Sequence, residues 1–222
     1  MESSPPLNAL IIDWGGVLTA GLGVSLRAWA EDEGLDFDSY LSVVREWFEP
    51  DGGLTDGPNP IHALERGEMS AREFESVFAG ALQQYDGRPV NPDGLLNRMF
   101  SNFERVPAMY DLIRRAKGHG LRTALLSNSW GDDHYPRAGW DEMFDAVVIS
   151  GEVGRRKPES EIFWLTCERL GVSPPECVFV DDLEVNVEAA VRLGMVGVRH
   201  RSYDETAERL ESILGLPLTA AS

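Results

Sequence analysis

The sequence predicts an α/β fold in which a parallel sheet is flanked by helices and interrupted by an all-helical insertion. Three observations carry this expectation. Leu10, Ile11 and Ile12 form an apolar, β-branched run that stops at Asp13 and Gly15-Gly16, the pattern of a buried strand. From Pro107 onward, short apolar runs alternate with segments of helical periodicity, the grammar of parallel strands covered on both faces. Between the two, residues 20–104 carry helical periodicity alone. The expected division is a core of residues 1–19 and 105–222 and a helical domain of residues 20–104.

Taken in order, Leu22, Leu26 and Trp29 give one helical stripe, and Tyr40, Val43, Val44, Trp47 and Phe48 give a second. Residues 50–60 are rich in Gly, Pro, Asp and Asn and read as a loop. Ser70-Ala-Arg-Glu73 is a capping box, followed by Phe74, Val77, Phe78, Ala81 and Leu82 at helical spacing. A short helix is expected between Asn91 and Phe103. In the second half, strands are expected at Arg122–Leu126, Ala146–Ile149, Cys177–Val180 and Val196–Val198. Helices are expected from Pro107 to Gly118, Pro158 to Leu170, Val185 to Leu193 and Tyr203 to Leu214.

Composition narrows the function classes. A nucleic-acid binder needs a basic face, so the formal net charge of -17 disfavours nucleic acid, and an anionic membrane surface for the same reason. No run approaches the ~18 apolar residues that a membrane span needs. The N-terminus lacks a basic and an apolar leader region, so a cytoplasmic location is expected. Cys167 and Cys177 lack metal-ligand spacing and read as reduced core residues. A chain this acidic can hold a phosphate only where a metal ion or a local cation offsets the repulsion. Lysine occurs only at Lys117 and Lys157.

Polar residues stand at the ends of several of these strands. Asp13 follows the first, and Ser127-Asn128-Ser129 follows Ala124-Leu-Leu126. Asp181-Asp182 follows Val178-Phe-Val180, and Lys157 lies in Gly154-Arg-Arg-Lys-Pro158 just before a helix. Singly, each is an ordinary turn, cap or surface charge. Together they would occupy the carboxyl edge of one sheet, where open α/β folds place their sites.

With these four motifs in register, the sequence resembles the haloacid dehalogenase-like (HAD) hydrolase superfamily across residues 8–19 and 107–200. The stretch Arg122–Gly139, with Leu-Ser-Asn-Ser-Trp-Gly-Asp-Asp, is similar to the amino-terminal phosphatase domain of soluble epoxide hydrolase. The resemblance implies a Rossmann-like core, and makes residues 20–104 the helical cap of part of that superfamily. It implies that Asp13 is a nucleophile forming an aspartyl-phosphate with a small phosphorylated substrate. It implies Mg²⁺ held by Asp13, the Gly15 carbonyl and Asp182, with Asp181 nearby or acting through water. Ser127 and the amides of Trp14, Gly15 and Asn128 would hold phosphoryl oxygens. Lys157 would neutralise the nucleophile and the transferring group, and Asn186 would orient Lys157 or Asp182.

The sequence departs from that pattern at Gly15, where family phosphatases carry a second Asp as general acid and base. The phosphonate-cleaving branch also lacks that Asp but needs a cap lysine, and residues 20–104 contain none. The halide-removing branch uses no metal, which paired Asp181 and Asp182 argue against. The expectation is therefore a Mg²⁺-dependent, phosphatase-type hydrolase suited to good leaving groups such as acyl phosphates. The alternative is a non-catalytic phosphate-binding or regulatory protein of the same fold. A receiver domain is shorter and accepts on a middle strand, and Gly21-Leu-Gly23 is only a fragment of a dinucleotide fingerprint. His62, His119, His134 and His200 do not cluster in sequence; His134, one short loop after Ser127, is the candidate for a replacement acid. Arg155 and Arg156 are candidates for holding an anionic substrate. Oligomeric state is not legible.

Overall fold

A computed structural model describes residues 5–48, 59–82, 84, 87–131 and 135–219. The loop expected at 50–60 falls almost wholly outside the described residues, and so does His134. Among the described residues the strands are β1 (Ala9–Ile12), β2 (Arg122–Ser127), β3 (Ala146–Ile149), β4 (Cys177–Asp181) and β5 (Val196–Arg199). All pair parallel in the order β3-β2-β1-β4-β5, which puts β1 at the centre between β2 and β4.

The sheet is buried on both faces, and the alternation of side chains shows how. Leu10 and Ile12 of β1, Leu125 of β2 and Val178 and Val180 of β4 point to one side. There they meet Met109, Leu112, Ile113 and Ala116 of α6 (Pro107–Gly118) and Ala207 and Leu210 of α11 (Tyr203–Leu214). Ala9, Ile11, Ala124, Leu126, Cys177 and Phe179 point to the other. They meet Ile162, Phe163, Cys167 and Leu170 of α9 (Ser160–Leu170) and Ala189 and Ala190 of α10 (Glu184–Arg192). This double burial is why the strands read as continuous apolar runs rather than as alternation. Cys167 and Cys177 are free and buried in this layer.

Among the described residues, five helices lie between β1 and α6: α1 (Leu22–Glu33), α2 (Phe37–Phe48), α3 (Pro60–Glu65), α4 (Ala71–Ala81) and α5 (Leu95–Ser101). They share an aromatic cluster of their own, with Trp29, Tyr40, Trp47, Phe74 and Phe78 buried together. The Ser70 capping box forms as expected, with Ser70 and Glu73 bonded reciprocally. Three short helices were not expected: α3, α7 (Trp140–Met143) and α8 (Ser150–Val153). At four to six residues they span too little chain for periodicity to register. One boundary is corrected. The helix expected from Pro158 begins at Ser160, because residues 157–159 make a turn. Among the described residues no helix is long and apolar enough to cross a membrane.

Candidate active site

The parallel register brings the expected residues to one edge. Asp13 follows the last residue of β1, Ser127 ends β2, and Asp181 ends β4 with Asp182 next. Lys157 arrives from the turn between α8 and α9. Its side chain is 1% exposed, and all three protons of its ammonium are used. It donates to Asp13 Oδ1 at 2.8 Å, Asp181 Oδ2 at 2.7 Å and the Leu126 carbonyl at 3.0 Å. Burial alone would lower the lysine's pKa; the two carboxylates overcome that and hold it above its ordinary value.

Three carboxylates, from Asp13, Asp181 and Asp182, offer oxygens within 4.8 Å of one another. One lysine does not balance them. Burial, reinforced by the neighbouring carboxylates, pushes Asp13 up to about 7, although Lys157 pulls it down. Burial and Asp181 push Asp182 up to about 6. The charge missing from this cluster is positive and the donors are all oxygen, which fits a hard divalent cation such as Mg²⁺.

The three carboxylates are not equivalent. Asp181 is fully buried and its oxygens are taken. Oδ1 accepts from the Leu183 amide at 2.8 Å, Oδ2 accepts from Lys157, and Asn186 Nδ2 lies 3.1 Å from both. Asn186 therefore positions Asp181, not Lys157 or Asp182 as expected. Asp13 Oδ1 accepts from Lys157 and from the Trp14 amide at 2.7 Å, while Oδ2 accepts from no described residue. The Trp14 amide, expected at a phosphoryl oxygen, thus donates to Asp13 in this structure.

The glycines after Asp13 divide their work. Gly16 takes the left-handed conformation (φ 72) and donates its amide to Thr19 Oγ1 at 2.9 Å. Gly15 is not among the left-handed glycines, and among the described residues nothing accepts from its amide or from that of Asn128. The Asn128 side chain instead clamps the lysine's backbone: Oδ1 accepts from the Lys157 amide at 2.8 Å, and Nδ2 donates to its carbonyl at 3.0 Å. Ser127 Oγ lies 3.0 Å from the hydroxyl of Tyr135, a residue the sequence reading did not single out. Burial raises the Tyr135 pKa, so the hydroxyl keeps its proton.

Arg156, a candidate for an anionic substrate, is engaged by the protein through one of its nitrogens. Its Nε pairs with Glu65 Oε2 of α3, with both side chains buried, and Trp130 Nε1 donates to Glu65 Oε1 at 3.3 Å. Arg66, next in the chain after Glu65, pairs with Glu159, which also accepts from the Arg156 amide at 3.2 Å. Two successive residues at the end of α3 thus grip the turn that carries Lys157. Close backbone contact accompanies them: a Cβ on Gly67 would sit 2.7 Å from the Gly151 carbonyl oxygen. None of this was legible, because Glu65 and Arg156 stand 91 residues apart.

Above the carboxylates lies a cavity of about 560 Å³. Asp13, Ser127, Lys157 and Asp182 line it together with side chains from α1, α2 and α5.

Comparison with known proteins agrees with this geometry. Residues 7–194 match the model of the haloacid dehalogenase-like hydrolase family. The chain is 33% identical over 202 residues to the YhcW protein of Bacillus subtilis, covering 85% of this chain and 81% of that protein. It is 31% identical over 119 residues to bifunctional epoxide hydrolase 2 of Sus scrofa, but spans only about a fifth of that protein's length (21%, against 49% of this chain). The fold superposes on a HAD family enzyme of Bacteroides thetaiotaomicron, crystallised with magnesium and inorganic phosphate. The TM-score is 0.64 at 23% identity, covering 88% of this chain and 94% of that one. The central β1 ending in Asp13, with its neighbours ending in Ser127 and Asp181-Asp182 and Lys157 buried among them, has its explanation here: the chain belongs to the haloacid dehalogenase-like hydrolase family.

Proposed function

We propose that the protein is a Mg²⁺-dependent phosphatase that acts on a small phosphorylated metabolite through an aspartyl-phosphate on Asp13. The observation that carries this reading is the buried Lys157 bridging Asp13 and Asp181 beside Asp182 at the carboxyl edge of the sheet. Residues 20–104 act as a cap over the core formed by 1–19 and 105–222. Asp13 and Asp182, with the Gly15 carbonyl, would hold the ion, and Asp181 would act through water because its oxygens are already bonded. Bound there, Mg²⁺ supplies the positive charge that lets a phosphate approach the carboxylates. A relative of the same fold holding magnesium and phosphate agrees with this.

In the first step, a free oxygen of the Asp13 carboxylate attacks phosphorus and the bond to the leaving oxygen breaks. Lys157 keeps Asp13 oriented and favours its ionised form against the effect of burial. Ser127 and the amides of Gly15 and Asn128 receive phosphoryl oxygens. In the second step, water attacks the same phosphorus, breaks the bond to Asp13, releases inorganic phosphate and gives its proton to solvent. Gly15 offers no carboxyl group to protonate the leaving oxygen, so that proton also comes from water. Substrates whose leaving group needs no proton, such as acyl phosphates, are favoured.

The same residue favours one alternative, a protein that binds phosphate without turnover. A phosphate-release assay with acyl and alkyl phosphates in Mg²⁺ separates the two. Acyl phosphates should be hydrolysed by the wild type and not by Asp13→Asn. Unchanged turnover in Asp13→Asn would refute the assignment of the nucleophile, and no turnover by the wild type would favour the binding protein.

A further inference from the structure

We propose that the phosphate is carried on an apolar hydrocarbon body, and that the cavity above the carboxylates selects such a body over a sugar or nucleoside. The inference rests on the phosphatase reading for its phosphate end, but the evidence for the body is separate. The cavity of about 560 Å³ has the size of a site for a drug-sized ligand. Besides the residues of the phosphate end it is lined by Leu26 of α1, Val44 of α2, Met99 and Phe100 of α5, and by Phe103 and Trp130. At its edge, Leu183 and Val185 line the same space while 45% and 50% exposed, so the apolar track continues toward solvent.

The polar groups of the lining point the same way, because most are committed to the protein. Glu65 is taken by Arg156 and Trp130, and Asn186 by Asp181. Asn128 is taken by the Lys157 backbone, and Tyr135 by Ser127 and the Asn128 carbonyl. Beyond the phosphate end, that leaves Tyr40, the exposed Arg45, Trp14 Nε1 and the Nη groups of Arg156, among the described lining residues, to meet a polar group of a ligand. A sugar would bury several hydroxyls against hydrocarbon with too few partners, at roughly tenfold in affinity for each one left unpaired. A methylene entering the same space gains about threefold to fourfold.

The test uses the full chain with Mg²⁺ and two homologous series, kept below micelle-forming concentrations. Binding of n-alkyl monophosphates from butyl to decyl is followed by tryptophan fluorescence, since Trp14 and Trp130 line the cavity. Turnover is followed as phosphate release from n-acyl phosphates of matching length. Affinity and kcat/KM should rise about threefold to fourfold per methylene until the cavity fills, and glucose 6-phosphate should bind at least a hundredfold more weakly than octyl phosphate. A flat series, or glucose 6-phosphate binding as tightly as octyl phosphate, overturns the proposal. Phosphate release with a flat series would sink the apolar body and leave the phosphatase standing; a rising binding series without release would do the reverse. Val44→Trp should shorten the optimal chain length, and Leu26→Phe is the fallback if that variant does not fold. An unchanged optimum in a folded variant would also count against the proposal.

Discussion

Breaking the Glu65–Arg156 pair should cost far more stability than breaking its neighbour, and the structure sets the scale. The two side chains are 4% and 10% exposed, so Arg156→Met strands a carboxylate in the interior with only Trp130 Nε1 as a partner. Losing one member of a buried pair costs about 3–5 kcal/mol. The Arg66–Glu159 pair is 30% exposed at both ends, so water replaces much of what Arg66→Met removes, and about 0–1 kcal/mol is expected. Replacing both buried partners, as Glu65→Leu with Arg156→Met, removes the stranded charge and should recover most of the loss.

The pH dependence follows from the sign of the carboxyl's shift. Burial already raises the pKa of Glu65, and Arg156 is the main influence opposing it. Without Arg156 the pKa rises further. Above the ordinary value of 4.5, the native state of Arg156→Met then holds a proton that the unfolded chain has released. Its stability therefore falls as pH rises, and its deficit against wild type shrinks toward pH 5. Urea unfolding of the four proteins at pH 7.5 and pH 5 measures all of this. The reasoning is refuted if Arg156→Met costs no more than Arg66→Met, or if the double replacement is as unstable as the single one.

Two further outcomes are expected. Titration calorimetry should find Mg²⁺ affinity at least about tenfold lower in Asp182→Asn than in wild type, since one anionic oxygen donor is lost; equal affinities would remove Asp182 from the site. Gly15→Asp should raise hydrolysis of alkyl phosphates by at least about tenfold, within the roughly 10²–10⁴-fold reach of general acid–base help, and leave acyl phosphates little changed. The left-handed turn falls on Gly16, so Gly15 can take a side chain without that penalty; a folded variant with no selective gain would show that no proton is wanting at that oxygen.

Much of this protein is legible in the chain because its regularities are local. The β-branched runs at Leu10–Ile12 and Val178–Val180, the capping box at Ser70 and the helix Tyr203–Leu214 depend on neighbours a few residues away. So does the placing of Asp13, Ser127, Asp181 and Asp182 at strand ends: once the strands are parallel, the register carries all of them to one edge. The family resemblance told which lysine to expect there. What it did not tell was the division of labour among the carboxylates. Asn186 sits five residues from Asp181, yet its choice of Asp181 over Lys157 or Asp182 depends on how α10 docks on β4.

The sequence by itself determined the α/β order, the helical interruption after β1 and the set of charged residues at the sheet edge, because period, caps and strand ends are properties of adjacent residues. Only the tertiary structure decided that Arg156 answers Glu65, that Tyr135 covers Ser127, and that the space above Asp13 is walled by Leu26, Val44 and Met99. Those are contacts between segments tens of residues apart. Their partners are selected by the packing of α1–α5 over the sheet edge, where burial makes an unpaired charge costly and leaves apolar side chains to shape the cavity.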